Sequence, residues 1–171
     1  MKLFVILVLF FTSAFAGDLF DYVGIGVASQ NIENKAFDTG KAVVLNAGKN
    51  NIYDNIGLEL ESTLQLDKPS AKIGSTVSKL KFWSIGMYGT YLWKIDDITI
   101  KPRLGLVYES IKSSFNTSNT NLLKATDTSK VALSGGIGIS YNITNKTKLY
   151  TNYTKLEDDI DHITFGAEFR F

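Results

Sequence analysis

The sequence predicts an all-β protein: an eight-stranded antiparallel transmembrane β-barrel, preceded by a cleaved signal peptide. Three observations predict this class. Residues 163–171 alternate strictly between bulky apolar side chains and small or polar ones, and this last strand ends on Phe171. Residues 1–16 have the composition of a signal peptide. Residues 17–171 show repeated two-residue alternation but no run of about 20 apolar residues, the length that a transmembrane helix needs.

The N-terminal segment carries each part of a secretory signal. Lys2 supplies the positive charge, residues 3–11 form the apolar run, and Ala14 and Ala16 form an A-x-A cleavage site. The run is too short to cross a bilayer as a helix. We therefore expect a signal peptide over residues 1–16 and an outer-membrane β-barrel domain over residues 17–171. An uncleaved anchor or a buried helix is the alternative.

The composition excludes several classes of function. The chain has 18 Lys and Arg against 17 Asp and Glu, so the mature chain without Lys2 is formally neutral and no nucleic-acid partner is expected. It has no Cys, hence no disulfides, and its 8 Tyr, 11 Phe and 14 Gly with only 2 Pro favour strands. The sequence contains no metal-ligand spacing or phosphate-binding loop, so no cofactor is expected.

The alternation defines eight strands and their connections. The strands are predicted at 22–30, 41–49, 56–66, 80–93, 99–112, 130–142, 147–156 and 163–171. Short turns near 49–55, 94–98 and 142–147 alternate with longer polar segments near 31–40, 67–79 and 113–129, as expected for a barrel with short periplasmic turns and long external loops. Pro102 is expected at the ragged start of the fifth strand because it lacks a ladder donor.

The two faces of these strands differ in composition. Bulky apolar residues share one face, whereas Gly, Ala and Ser share the other face with the charges, which favours a lipid-facing exterior and a narrow polar lumen. A soluble lipocalin-type barrel is the alternative. Trp83 and Trp93 lie on one face ten residues apart, a separation of roughly 25 Å along the membrane normal. We predict an aromatic girdle at both interfaces, formed by Trp83, Trp93, Tyr108, Tyr141 and Tyr153.

With this strand rhythm, the chain resembles the small eight-stranded outer-membrane barrels of the OmpA transmembrane domain, OmpX and opacity-protein type. The resemblance is most specific over residues 131–171, which are similar to the last two hairpins of such a barrel. It implies a monomer in the cell outer membrane that contacts lipid and the barrel-assembly machinery. It also implies that Phe165, Phe169 and Phe171 form the C-terminal assembly signal.

Eight charged residues fall on the predicted lumen face. They are Glu59, Glu61, Lys101, Arg103, Glu109, Lys148, Glu168 and Arg170. Charges in a narrow tube must pair, because each one taken from water costs several kcal/mol. We therefore predict an ionic network that closes the lumen. An ionic gate in a narrow channel is the alternative.

The single histidine raises the question of catalysis. His162 and Thr164 resemble the His-x-Ser pair of lipid A deacylases of this architecture, but Thr replaces Ser and both residues are predicted to face inward. We therefore expect no enzyme activity, with a lipid A-modifying enzyme as the alternative. The predicted role is structural or adhesin-like, with a host or surface ligand bound through external loops such as 113–129.

Overall fold

A computed structural model describes residues 19–32, 39–67, 70–73, 76–116, 127–157 and 160–171. The predicted signal peptide and the middle of the 113–129 loop lie outside these residues. The described chain forms the strands β1 (Tyr22–Ile32), β2 (Gly40–Tyr53), β3 (Ile56–Asp67), β4 (Ser70–Ile73), β5 (Thr76–Tyr91), β6 (Trp93–Ile95), β7 (Ile98–Asn116), β8 (Asp127–Asn142), β9 (Thr147–Glu157) and β10 (Ile160–Arg170). Within this part of the chain, no helix has the length and apolar character needed to cross a membrane.

Eight antiparallel strands close into a ring. The ring runs β5, β3, β2, β1, β10, β9, β8, β7, and pairing of β7 with β5 closes it. The short strand β4 folds back on the start of β5, and β6 continues β5 in the same register. The predicted eight-stranded antiparallel barrel is thus confirmed.

The register sets the tilt of the strands. Pairings that start at Tyr22 pass through Gly48, Glu59, Tyr88 and Gly105 and reach the first residues of β10, which pair with the far end of β1. One circuit thus advances by about ten residues, which corresponds to a tilt of roughly 40°. Each residue along a strand therefore changes depth in the membrane by about 2.5 Å.

The alternation places side chains on the faces that the sequence predicts. Ile85, Leu104 and Ile137 are at least half exposed on the outer surface, whereas Glu59 and Tyr88 are fully buried in the lumen. The short turns use Asn and Asp in the left-handed region, with φ of 68° at Asn55 and 50° at Asp96.

Several strands are longer than predicted at one end of the barrel. The predicted loop 67–79 contains β4 and the start of β5, while β7 continues to Asn116 and β8 begins at Asp127. We call the paired residues 70–73, 76–82, 110–116 and 127–130 the outer sheet. Beyond the membrane both faces of a strand can be solvated, so strands there need no apolar alternation, and the sequence pattern favours a loop.

The prediction that Pro102 marks the start of a strand is wrong. It lies inside β7, exposed on the outer surface, and pairs with Ile137 of β8. The ladder on its other side is interrupted at Leu92, because proline has no N–H to donate. The Leu92 N–H donates instead to the Asn55 carbonyl at 2.9 Å. The barrel therefore tolerates Pro102 through a one-residue break between β5 and β6.

Candidate functional site

The lumen contains a compact network of ion pairs. Lys101 Nζ lies 2.5 Å from Glu59 Oε2 and 2.9 Å from Glu168 Oε1. Arg103 Nη1 lies 2.7 Å from Glu59 Oε1 and 2.6 Å from Glu61 Oε2. All five side chains are at most 6 % exposed. Glu59 therefore bridges the two cations, and strands β3, β7 and β10 are linked across the lumen.

Aromatic rings support both cations. Tyr22 donates a hydrogen bond to Glu59 Oε2 at 2.5 Å, and its ring centroid lies 5.1 Å from Lys101 Nζ. The Tyr88 ring centroid lies 4.6 Å from the guanidinium carbon of Arg103. Arg103 also donates to Thr154 Oγ1. These contacts hold the guanidinium between β3 and β9, with an aromatic face and fixed acceptors in place of water.

A glycine makes room for the Tyr88 ring. A Cβ atom on Gly86 would lie only 2.7 Å from Tyr88 Cε2, closer than such atoms approach each other. The small residue on the lumen face of β5 thus allows the ring to lie along the wall beneath Arg103.

Three of the predicted lumen charges form no ion pair in the described part of the chain. Lys148 is paired with Glu168 in the sheet, but the Glu168 carboxylate contacts Lys101, and Lys148 Nζ lies 3.4 Å from Thr99 Oγ1. Glu109 lies six residues along β7 from Arg103, a depth difference of roughly 15 Å. Arg170 lies at the other end of the lumen and is partly exposed. The predicted eight-residue network was therefore too large, because alternation gives the face of a residue but not its depth.

An apolar layer fills the lumen above the ion pairs, and the sequence analysis missed it. Phe82, Val107 and Leu156 form a buried cluster, against which Ile111, Ala132 and Ile160 pack. We call this cluster the apolar cap. Its members have the same strand parity as the lumen residues Ser84, Glu109 and Thr154, so parity could have revealed it. The assumption that bulky apolar residues face lipid concealed the cap.

His162 and Thr164 both point into the lumen and are fully buried. His162 Nε2 lies 3.5 Å from Glu61 Oε1, at the edge of the ionic network. The Thr164 hydroxyl has no hydrogen-bond partner among the described residues. A lipid outside the barrel cannot reach either side chain, so their placement offers no site for a lipid substrate.

The predicted girdle is divided between the two ends of the barrel. Trp83 and Tyr108 lie side by side, with ring centroids 5.5 Å apart at 51°. Trp93 and Tyr141 lie on the outer surface near the opposite turns and are at least half exposed. Tyr153 belongs to neither group, because it pairs with Ile137 and Ile163 in the middle of the apolar surface. Its assignment to the girdle was wrong for the same reason as the lumen charges: register, not face, sets depth.

The C-terminal strand closes the barrel against β1. Phe165, Phe169 and Phe171 are exposed on its outer surface, and Phe171 N donates to the Asp21 carbonyl at 3.3 Å. These positions are compatible with recognition by another protein during assembly, which stays a prediction.

Solved structures of outer-membrane barrels share this fold. OprG of Pseudomonas aeruginosa is 12% identical with a TM-score of 0.67, over 90% of this chain and 96% of that one. Ail, the attachment invasion locus protein of Yersinia pestis, is 15% identical with a TM-score of 0.61, over 90% and 99%. Neisserial surface protein A is 19% identical with a TM-score of 0.55, over 88% and 96%. No curated protein sequence matches the chain.

The family comparison covers nearly the whole sequence. Residues 3–171 match the family described as outer membrane protein beta-barrel domain. Together with the closed ring of eight strands and the apolar outer surface, this match identifies the lipid that surrounds the barrel as that of the outer membrane. The chain belongs to the outer-membrane β-barrel family and is a protein of the cell outer membrane.

Proposed function

We propose that this protein is a closed, non-catalytic outer-membrane barrel with an adhesin-like role, and that its outer sheet contacts a host or other surface ligand. One observation carries the proposal: the outer sheet projects beyond the membrane interface on one side of the barrel. β5 begins seven residues before Trp83, and β7 continues eight residues past Tyr108, so the sheet rises by roughly 20 Å. A hydrogen-bonded sheet that projects from the barrel is a suitable scaffold for recognition.

The charge of the outer sheet indicates the class of ligand. Its residues include five lysines and a single acid, Asp127; the lysines are Lys72, Lys79, Lys81, Lys112 and Lys130. Such a surface favours an anionic partner. Ail, which has the same fold, has been crystallised in complex with the heparin analogue sucrose octasulfate. At 16% identity this likeness concerns the fold, and it supports the proposal only as an example of a sulfated ligand on such a barrel.

The lumen supports a role without transport or catalysis. The ionic network and the apolar cap lie one above the other, so an ion would have to displace both. The buried positions of His162 and Thr164 argue against the lipid A-modifying alternative. We therefore place the function on the exterior of the barrel.

Shortening of the outer sheet tests the proposal. Lys112 pairs directly with Asp127, so an Asn-Gly turn can join them, and Ser70 pairs with Lys79, so residues 70–79 can be deleted as one hairpin. In a non-adherent bacterial host, the wild type should confer binding to immobilised sulfated glycans or to host cells, and the shortened variant should not.

The control is a variant with an altered turn on the opposite rim, in which Asn-Gly replaces Asp96 and Asp97. Heat-dependent migration on gels should show that both variants are folded. Equal adhesion by the shortened variant would exclude the deleted part of the outer sheet, with Lys72 and Lys79, as the contact surface.

A further inference from the structure

Two lysines of the outer sheet lie directly opposite each other. Lys81 of β5 pairs with Lys112 of β7, and both side chains are exposed. Like charges at directly opposite positions of an antiparallel pair destabilise it. An anion between the two ammonium groups would reverse this effect.

Of the other paired lysines at this end of the barrel, Lys72 and Lys79 pair with uncharged residues, and three have acidic neighbours. Lys41 pairs with Asp67, Lys130 with Glu109, and Lys155 with Asp161. Each of these pairs is balanced in charge. In contrast, Lys81 faces a cation.

One acidic residue is a sheet neighbour of this lysine pair. The second neighbour of Lys112 is Asp127 of β8. The row Lys81, Lys112, Asp127 therefore carries two cations and one anion, and its excess positive charge lies towards β5.

The depth of the lysine pair corresponds to the lipid head groups. Lys81 lies two residues from Trp83 and Lys112 four residues from Tyr108, in each case on the same face of the strand. The Trp83 and Tyr108 rings contact each other at a tilt of 51°, and such aromatic side chains mark the boundary between acyl chains and head groups. At about 2.5 Å of depth per residue, the two lysines lie roughly 5–10 Å beyond that boundary.

We propose that Lys81, Lys112 and the Trp83–Tyr108 pair form a binding site for the phosphate-bearing head group of a glycolipid in the outer leaflet. The ammonium groups contact the phosphate, and the aromatic rings contact the sugar and the first part of the acyl chains. This site is lateral, on the membrane-facing side of the outer sheet. It shares Lys81 and Lys112 with the outer sheet, but its ligand is a lipid of the surrounding membrane and not the surface ligand proposed above.

Binding of lipid A to the full barrel in phosphatidylcholine nanodiscs tests the site. The probes are bisphosphorylated lipid A and the same lipid after dephosphorylation. Each lysine near an anionic lipid surface accounts for about a fivefold preference, so Lys81→Ala/Lys112→Ala should weaken binding of the phosphorylated lipid by roughly 25-fold. Lys81→Arg/Lys112→Arg should retain it. The matched control Lys41→Ala/Lys155→Ala removes two balanced lysines and should change binding less than threefold.

Three results would overturn the proposal. They are equal loss in the two alanine double variants, equal affinity of the wild type for dephosphorylated lipid, and retention of binding by Lys81→Ala/Lys112→Ala. Competition by a soluble sulfated glycan at similar concentration would assign the lysines to an extracellular ligand instead. A shortened variant that loses adhesion yet keeps lipid binding would separate this site from the proposed function.

Discussion

Removal of the Arg103 guanidinium should be among the most damaging changes to the lumen. In Arg103→Met, Glu61 loses its contact at 2.6 Å and keeps only His162 nearby, while Glu59 keeps Lys101 and Tyr22. Breaking a buried pair by removal of one partner costs about 3–5 kcal/mol, because the other charge remains buried. Since Glu59 retains a cation, most of the penalty falls on Glu61. We expect a loss of about 3 kcal/mol in the free energy of unfolding.

A double-mutant cycle with Glu61→Gln isolates this cause. In the double variant no unpaired carboxylate remains at position 61, so Glu61→Gln should recover part of the loss caused by Arg103→Met, with a coupling of about 1–3 kcal/mol. Urea titration of the barrel in lipid vesicles measures all four free energies. If the two changes are additive, the carboxylate is not the source of the penalty and the network does not act as a unit.

Three further predictions concern the outer surface, the C-terminal strand that closes the barrel, and the lumen. Ile137→Arg, near the middle of the lipid-facing band, should destabilise the barrel by about 2–4 kcal/mol, whereas Ile143→Arg at the inner rim should cost about 0–1 kcal/mol; equal losses by vesicle unfolding would refute the depth assignment. Phe171→Ala should reduce the amount of barrel in the outer membrane more than its unfolding free energy in vitro, and a parallel decrease in both would argue against an assembly role. The wild type should show little conductance in planar bilayers. Phe82→Ala should also show little, because the ionic network still closes the lumen, whereas the double variant Phe82→Ala/Arg103→Ala should leak. Large steady channels from the wild type would favour a porin.

The sequence predicts the number of strands, and which residues share a face of each strand, because alternation depends only on whether each face meets lipid or lumen. It predicts depth poorly, as Tyr153 and Glu109 show, because depth depends on the pairing of strands distant in the sequence. The side-chain partner of Glu168 was also missed. Its sheet neighbour is Lys148, yet its carboxylate reaches across the lumen to Lys101. Such a contact requires the diameter of the barrel, which no local pattern contains.

The ionic network also bears on the closure of the barrel. Its groups come from both strands of the β1–β10 pair that closes the barrel. β1 contributes Tyr22, which binds Glu59, and β10 contributes Glu168, which binds Lys101. In an open sheet, where β1 and β10 are not paired, the charged groups of β3 and β7 would lack some of these partners. Pairing of β1 with β10 therefore both relieves an electrostatic deficit and completes the hydrogen-bond ladder. Charge satisfaction thus stabilises the closed ring relative to an open sheet of the same strands.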